Sequence, residues 1–480
     1  MKLIYNVKDR PPFGQVLVFA LQQLLAILAA TIAVPAIVGN GMSQSAALFG
    51  AGVGTLVYLL FTKFKSPVFL GSSFAFLGSM FAAFGGAASA SAGYLGLILG
   101  AVFAGLVYVV IALVVKLAGV GWINKIMPAV VIGPTVAIIG LSLAGNAIGD
   151  LFKGSVTHLV PVLDEAGNAV LDEAGEAVTE AVQSANIYLC MLIGLITLAV
   201  TMVASVYGKK MMKLIPFIIG IAAGYVVAAI LTVIGNSTGV QALQIIDFSG
   251  FANMKWIPDF AFLEAFKGFK DIDGAFIGTI AVGYVPVAFV VFAEHIADHK
   301  NLSSIIESDL LEEPGLSRTL LGDGVGSIAG AFFGGCPNTT YGESVGCVAI
   351  TGNASIITIF CTAIIAIVAS FFAPFVTLLA TIPSCVMGGV CIALYGFIAV
   401  SGLKMIQKVD LGDNSNLFVV SVILIAGVGG MVLNFGKVTI TEVACALILG
   451  ILENLMLKKG RKSEDVKEIE IPAKADADKE

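Results

Sequence analysis

Apolar runs long enough to cross a membrane recur along almost the whole chain, from Phe13 to Leu457. A helix spans the hydrocarbon core of a bilayer with about 20 apolar residues, so these runs allow roughly 12 to 14 helices. Only 12% of the 480 residues are charged, against about 25% in soluble domains. The sequence therefore predicts an all-α polytopic membrane protein.

Basic residues mark one side of the predicted membrane. They lie in alternate loops, at Lys2, Lys8, Arg10, Lys63, Lys65, Lys116, Lys125, Lys209, Lys210, Lys213, Arg318, Lys404, Lys408, Lys458, Lys459, Arg461 and Lys462. Cytoplasmic loops carry an excess of lysine and arginine, and these loops share one side if fourteen spans place both termini in the cytoplasm. The loop at 235–273, with Lys255, Lys267 and Lys270, is the mixed exception on the outer side. We therefore expect a multi-pass protein of the plasma (inner) membrane.

Two charged stretches lie outside the predicted spans. An extracytoplasmic loop at 149–186 contains the acidic tandem duplication VLDEAGNA–VLDEAGEA at 162–177, where the glycines predict turns. The tail at 459–480 is charged, lacks apolar periodicity and is predicted to be disordered. The seven cysteines lie in or beside apolar runs at no metal-ligand spacing, so no metal site is expected.

Two of the predicted spans are interrupted by small polar residues. GSSFAF at 71–76 follows an extended piece, and CPNTTYGE at 336–343 combines a proline, small polar residues and a glycine. Non-helical backbone at membrane depth is tolerated where it lines a cavity. Segments 3 and 10 are therefore predicted to be a short strand plus a half-helix, whose free N–H groups point at a substrate.

The broken segments occupy equivalent places in the two halves of the chain. SSF at 72–74 and TTY at 339–341 are offset by 267 residues, and the same offset carries the start of span one, near Gly14, to the start of span eight. Seven spans per half place the halves in opposite orientations. The sequence thus predicts 7+7 inverted repeats, a design typical of secondary transporters that bind substrate near the midplane.

Three carboxylates lie near the broken segments. Glu343 follows the second break, and Glu294 and Asp298 are four residues apart, so both lie on one face of span eight. Ionisable residues inside a membrane indicate functional sites by default. His299 and Lys300 are interpreted instead as the end of the span, where their charges reach water.

Flat side chains and accessible backbone complete the predicted site. Gly342 lets a flat ligand approach the main chain. Phe74 and Tyr341 offer ring faces from the two broken segments, and Tyr395 in span twelve can close the pocket from the other side. Carboxylate acceptors, backbone donors and aromatic walls suit a planar, neutral molecule with alternating N–H and C=O groups.

Two other functions are weighed against this hypothesis. An anion exchanger on the same architecture is disfavoured because Glu294 and Glu343 would repel its substrate. A membrane-embedded enzyme would need a paired nucleophile and base, and the sequence offers no such Ser/His or Cys/His arrangement. We therefore predict no enzymatic activity and no cofactor other than a coupling proton, carried by Glu294 or Asp298.

The motifs also resemble the nucleobase–ascorbate transporters (the nucleobase:cation symporter-2 family), and within that family the bacterial uracil permeases. The resemblance covers nearly the whole chain and rests on LQQLLAILAATIAVP at 21–35, GSSFAF at 71–76, AEH at 293–295, NTTYGE at 338–343 and the signature at 343–352. It implies proton-coupled uptake of a nucleobase, with uracil favoured and xanthine or another purine as the alternative.

The resemblance also implies a division into two domains and a homodimer. The core domain would comprise 14–118 and 276–375, which hold spans one to four and eight to eleven. The gate domain would comprise 122–235 and 380–458, which hold spans five to seven and twelve to fourteen.

By resemblance to the family, two glutamates would form hydrogen bonds with the base, and two backbone groups would contribute further hydrogen bonds. The implied substrate-binding residues are Glu294, Glu343, Phe74, Gly342, Tyr341 and Tyr395. The implied supporting polar network is Gln22, Gln23, Asp323 and Thr340.

Two departures from the family pattern concern the polar network. Gln22 and Gln23 stand where the family has a Gln-His pair, so a network that the histidine anchors must be rebuilt. Ser344 stands where the family signature has asparagine.

Two further departures concern the acids. Asp298 stands where some uracil permeases have histidine and the purine branch has aspartate, and Asp323 also resembles an acid of the purine branch. Glu343 points the other way, because purine members tend to carry glutamine there. The resemblance thus favours uracil and leaves the proton-carrying residue open.

Overall fold

Long helices joined by short strands and turns make up the chain in the computed structural model, which describes residues 3–119, 128–161, 179–209, 211–435 and 438–457. The first half contributes the helices α1 (Phe13–Val38), α2 (Gln44–Phe61), α3 (Leu77–Gly85), α4 (Ala90–Ala118), α5 (Ala129–Ser142), α6 (Ala144–Leu151), α7 (Ile187–Tyr207), α8 (Met211–Leu214) and α9 (Pro216–Thr238). The second half contributes α10 (Ala261–Ala265), α11 (Gly274–Ile306), α12 (Leu316–Gly334), α13 (Gly342–Thr351), α14 (Ile356–Ser370), α15 (Ala373–Ala380), α16 (Ser384–Ile406), α17 (Asn414–Val428) and α18 (Glu442–Leu457). Short 3₁₀ turns lie at Phe74–Phe76, Gln241–Leu243, Ser249–Asn253 and Phe266–Lys270, and a π turn lies at Leu311–Gly315.

The described strands form three separate two-stranded antiparallel pairs. They are β1 (Leu70–Ser72) with β4 (Asn338–Thr340), β2 (Thr157–Pro161) with β3 (Thr179–Gln183), and β5 (Leu433–Phe435) with β6 (Val438–Ile440). The first pair joins the two halves of the chain and confirms that segments 3 and 10 are a short strand plus a helix. Its antiparallel direction is the one expected of equivalent segments in inverted halves.

Eight described helical runs are long and apolar enough to cross a membrane, with α5 and α6 together forming one of them, or nine if the pair α14–α15, bent by 82°, counts as one span. The remaining predicted spans coincide with the two broken segments and with shorter or more polar helices. This confirms an all-α polytopic membrane protein, and the count of fourteen spans stays a prediction.

Close helix packing sets the position of β4. A methyl group at Gly54 in α2 would lie 2.7 Å from the Gly326 carbonyl of α12 and 2.5 Å from Asn338 Nδ2. Small residues let membrane helices approach this closely, since van der Waals contact is what drives their association. Asn338 Nδ2 in turn donates to the Gly50 carbonyl at 3.1 Å, so α2 and α12 together hold the second broken segment.

Three predicted loops and spans differ from the structure. The loop at 149–186 is not wholly irregular, because β2 and β3 form a hairpin at its two ends. The loop at 235–273 contains α10 and several 3₁₀ turns, and β5 and β6 form a strand pair between α17 and α18, where the sequence predicts two spans separated only by a short break at 434–437. The duplication at 162–177 and the tail at 459–480 lie outside the described residues.

Candidate functional site

The crossing of β1 and β4 brings the starts of two short helices to one place. Leu70 pairs with Thr340, and Ser72 pairs with Asn338. The 3₁₀ turn at Phe74–Phe76 and α3 follow β1, while α13 follows β4 after a single residue. The first N–H groups of a helix have no intrahelical partner, so both segments present backbone donors beside the crossing.

Tyr341 locks the two broken segments together. Its hydroxyl donates to the Ser72 carbonyl at 2.8 Å, and its ring lies directly over Gly71. A methyl group at Gly71 would lie 2.4 Å from two carbons of that ring, so only glycine leaves room for it there.

A cavity of about 460 Å³ opens beside the crossing. Predicted site residues on its wall are Phe74, Glu294, Asp298, Thr340, Tyr341, Gly342 and Glu343. The structure thus gathers residues from span eight and both broken segments around one space. A cavity of this size, mostly apolar with a few convergent polar groups, has the character of a small-molecule site.

The three carboxylates approach the cavity from two helices. Glu294 and Asp298 lie one turn apart on α11, and Glu343 lies in the first turn of α13. Thr340 Oγ1 donates to Asp298 Oδ2 at 2.8 Å, which ties α11 to β4. Three acids around one buried space cannot all be charged without large mutual repulsion and desolvation.

The aromatic side chains divide into two layers. Phe74 and Tyr341 line the cavity, whereas Tyr395 does not, although its neighbours Leu394 and Phe397 do. The Tyr395 ring packs edge-on to Phe74, with centroids 6.1 Å apart at 77°. Tyr395 therefore supports the ring of Phe74 from behind.

The polar network centres on Gln23. Its Nε2 donates to Ser344 Oγ at 2.5 Å, and the same oxygen accepts the Phe69 N–H at 3.0 Å. Gln22 has no described hydrogen-bond partner for its Oε1, which is buried. Neither glutamine lines the cavity.

Asp323 lies behind the cavity wall in a buried pair with a histidine. His295 Nδ1 donates to Asp323 Oδ2 at 2.7 Å, and His295 Nε2 lies 3.0 Å from Thr319 Oγ1. All three side chains are buried. This pair joins α11 to α12 on a face of α11 next to that of Glu294 and Asp298.

The interpretation of His299 as a residue that reaches water is wrong. It is fully buried, its Nδ1 donates to the His295 carbonyl at 2.7 Å, and its Nε2 lies 2.6 Å from the Tyr58 hydroxyl. The ring also stacks on His295 at 4.0 Å. The four-residue spacing of His295 and His299 predicts that both lie on one face of α11. It does not indicate that α2 and α12 cover that face.

Sequence reasoning missed one charged residue at the cavity. Lys213 of α8 lines it, together with Ser401 and Met405 of α16. In the sequence, Lys213 served only to orient the chain. Its presence on the wall shows that the cavity runs from the broken helices toward the loop that joins α7 and α9.

Comparisons with known proteins agree with this architecture. Residues 14–435 match the model of a family described as the Permease family. The uracil permease of Bacillus caldolyticus is 38% identical over 95% of this chain and 95% of its own length. The uracil permease of Bacillus subtilis (strain 168) is 37% identical over 96% and 97%.

The fold is also similar to a solved structure, the transmembrane domain of the cyanobacterium bicarbonate transporter BicA. The TM-score is 0.61, the match covers 94% of this chain and 100% of that domain, and the identity is 16%. At that identity the likeness concerns the fold alone. The family match and the two permeases, each matched along almost its whole length, show that the chain belongs to this permease family, the nucleobase–ascorbate transporters.

Proposed function

We propose that the protein is a secondary active transporter that takes up a nucleobase, with uracil favoured, together with a proton. The observation that carries this proposal is the meeting of two broken helices with Glu294 and Glu343 at one cavity. Family membership makes the protein a membrane transporter rather than an enzyme. The two relatives are uracil permeases, which makes uracil the first substrate to test.

The wall chemistry fits a base that offers both N–H and C=O groups. Carboxylate oxygens of Glu294 and Glu343 accept from ring N–H groups, and free N–H groups at the start of α13 donate to carbonyls. Gly342 is exposed to the cavity, so a flat ring can approach the main chain there. Phe74 and Tyr341 supply ring faces for stacking.

The coupling proton is proposed to sit on Glu294 or Asp298. These carboxyls lie one turn apart and share the cavity with Glu343, so loss of a proton adds charge beside the substrate. Asp298 also accepts from Thr340, the last residue of β4. A change in the protonation state of Asp298 therefore changes a hydrogen bond to β4, the strand that precedes the second half-helix.

Two alternatives differ in substrate. Xanthine or another purine would use the same acceptors, and Asp298 and Asp323, which resemble acids of the purine branch, keep that alternative open. An anion exchanger is suggested only by the fold shared with a bicarbonate transporter. The carboxylates at the half-helices oppose it, because they would repel an anion from the donors that would bind it.

The proposed core and gate domains follow the helix packing. Helices α2, α4, α11, α12 and α14 pack on one another, and α5, α7, α9, α16, α17 and α18 form a second set of neighbours. The cavity takes Glu294 and Asp298 from the first set, Glu343 from α13, and three further wall residues from the second set, Phe217, Phe397 and Met405. We propose that movement of one set of helices relative to the other exposes the site alternately to the two sides of the membrane. The protein is proposed to be a homodimer in the plasma membrane, with the termini of each chain in the cytoplasm.

Uptake into proteoliposomes tests the proposal. The purified protein is reconstituted with an acidic exterior, and labelled uracil and xanthine are supplied in parallel. We expect uracil to accumulate above its external concentration and the accumulation to collapse with a protonophore. Absence of uptake of both bases would refute the proposal, and preferential xanthine uptake would establish the purine alternative.

A further inference from the structure

The segment between α9 and α11 has two different faces. We refer to residues 251–270 as the connecting segment. Three small residues on its inner face, Ala261, Ala265 and Gly268, are buried. A methyl group at Gly268 would lie 2.5 Å from the Ser91 backbone at the start of α4, so this face is pressed onto a membrane helix.

Polar and aromatic contacts fix the connecting segment in place. Ser91 Oγ donates to Glu264 Oε1 at 2.5 Å, one turn of chain before Gly268. Phe262 stacks on Phe332 near the end of α12, with ring centroids 4.8 Å apart and planes within 4° of parallel. The segment is therefore docked on the membrane-spanning helices along one side.

The outer face carries large apolar side chains that stay more than half exposed, although the Trp256 ring lies edge-on to Phe372 and the Phe266 ring edge-on to Phe332. Trp256 is 58% exposed, Ile257 68%, Leu263 54%, Phe266 53% and Phe269 57%. So much large apolar surface on twenty residues is not tolerated in water without a partner. The helices on either side, α9 and α11, are both membrane spans, so both ends of the segment lie at a membrane surface.

Positive and negative charges on the connecting segment nearly cancel. Within 251–270 three lysines stand against two acids, Asp259 and Glu264, and Asp271 follows directly. Lys255 pairs with Asp259 at 2.9 Å, and Lys267 pairs with Glu264 at 2.6 Å. A segment whose charges nearly cancel and are mostly ion-paired has little preference for anionic lipid, in contrast to a basic amphipathic helix.

We propose that the connecting segment lies in the headgroup region of the bilayer, with Trp256, Leu263, Phe266 and Phe269 inserted among zwitterionic phospholipids. Tryptophan and phenylalanine beside lysine suit this layer. Their rings contact the acyl chains, while the lysine ammonium groups contact the headgroups and water. Lys255 and Lys267, two of the three lysines that break the charge rule for the outer side, are then ion-paired interface residues and carry no orientation signal.

Fluorescence of Trp256 tests the proposal, because the chain has only two tryptophans, Trp122 and Trp256. The Trp122→Phe protein is reconstituted in phosphatidylcholine vesicles, plain or brominated near the headgroup end of the acyl chains. Brominated lipid is expected to quench about half of the emission or more, and iodide to quench at least about three-fold less than it quenches N-acetyltryptophanamide, as befits an interfacial ring. Replacing a third of the lipid by an anionic phospholipid is expected to change neither result.

Two results would overturn the proposal. Iodide quenching as strong as that of N-acetyltryptophanamide would place Trp256 in water. Protection from both iodide and brominated lipid would show that protein, such as a second copy of the chain, covers the segment. If Trp122→Phe fails to fold, the difference between the unmodified protein and Trp256→Phe yields the same quantities.

Discussion

Gln23 of α1 donates a 2.5 Å hydrogen bond to Ser344 of α13. These are two of the positions at which the sequence departs from the family pattern, and they contact each other. Ser344 directly follows Glu343 and also accepts the Phe69 N–H just before β1. The two departures thus form one joint between α1 and both broken segments, which fixes the first turn of α13 and its carboxylate.

Removing either side chain of this joint is expected to weaken uracil binding indirectly. A buried hydrogen bond contributes about 0.5–1.5 kcal/mol, so Gln23→Ala and Ser344→Ala should each raise the Kd about 2- to 12-fold. The double variant should be no worse than the poorer single variant, because both remove the same bond. Calorimetric titration of uracil into the purified variants measures this.

Gln22→Ala is the matched comparison for the joint. Gln22 is the neighbouring glutamine, with a buried Oε1 that has no described hydrogen-bond partner, so its truncation should change the Kd less than that of Gln23. Losses that add in the Gln23/Ser344 double variant would show that the two residues act separately.

The sequence was sufficient to predict the residues that break helices and those that share a helix face. Proline, glycine and small hydroxyl residues at 71–76 and 336–343 cannot continue an apolar helix, so the strand–helix form was predictable. Four-residue spacing put Glu294 and Asp298 on one face of α11. Both inferences rest on local stereochemistry, which a single chain segment contains.

Partners from distant helices could not be predicted in the same way. From its own segment, His299 is interpreted as a charged helix end. The structure shows instead that its Nε2 lies 2.6 Å from the hydroxyl of Tyr58, which is 241 residues away. His295 likewise needs Asp323 on α12, and Lys213 reaches the cavity only because α8 packs beside it. Tertiary contacts of this kind leave no periodic mark on either segment.

Glu343→Gln tests the proposed substrate acceptor. Losing a charged hydrogen-bond acceptor costs about 1.5–3 kcal/mol, so the uracil Kd should rise about 10- to 150-fold. The amide also offers a donor, and we expect relative binding of xanthine to increase. Equilibrium binding of both labelled bases to the purified protein measures these effects.

Glu453→Gln is the control for the loss of one acid from a membrane helix. Glu453 lies in α18, away from the cavity wall, and its variant should bind uracil as the unmodified protein does. Unchanged uracil affinity in Glu343→Gln would show that Glu343 is structural and does not touch the base.

Asp298→Asn separates coupling from binding. Asparagine keeps an oxygen that can accept from Thr340 Oγ1, which donates to Asp298 at 2.8 Å, but it cannot exchange a proton. If Asp298 carries the proton, exchange of internal for external uracil should persist, while accumulation driven by a pH gradient should fall at least about 10-fold. Both are measured in the same proteoliposome preparation.

Glu294→Gln is the companion experiment. With Asp298 as the proton carrier and Glu294 as an acceptor for the base, this variant should lose exchange and accumulation together. Normal gradient-driven accumulation by Asp298→Asn would assign the proton to Glu294 instead.

Gly71→Ala tests whether the crossing of the broken segments shapes the site. The new methyl group would lie 2.4 Å from the Tyr341 ring, so the ring must move and its hydroxyl must release the Ser72 carbonyl. Overpacking of this kind costs about 1–3 kcal/mol, and we expect a lower Tm and uracil binding weakened at least about 10-fold.

Gly85→Ala in α3 is the matched control, because no atom lies within 4 Å of its added methyl group. The double variant Gly71→Ala/Tyr341→Ala removes the ring that causes the clash, so its Tm should fall less than the two single losses together. If the fall in Tm of the double variant equals the sum of the falls in the two single variants, Gly71 matters for a reason other than its contact with Tyr341.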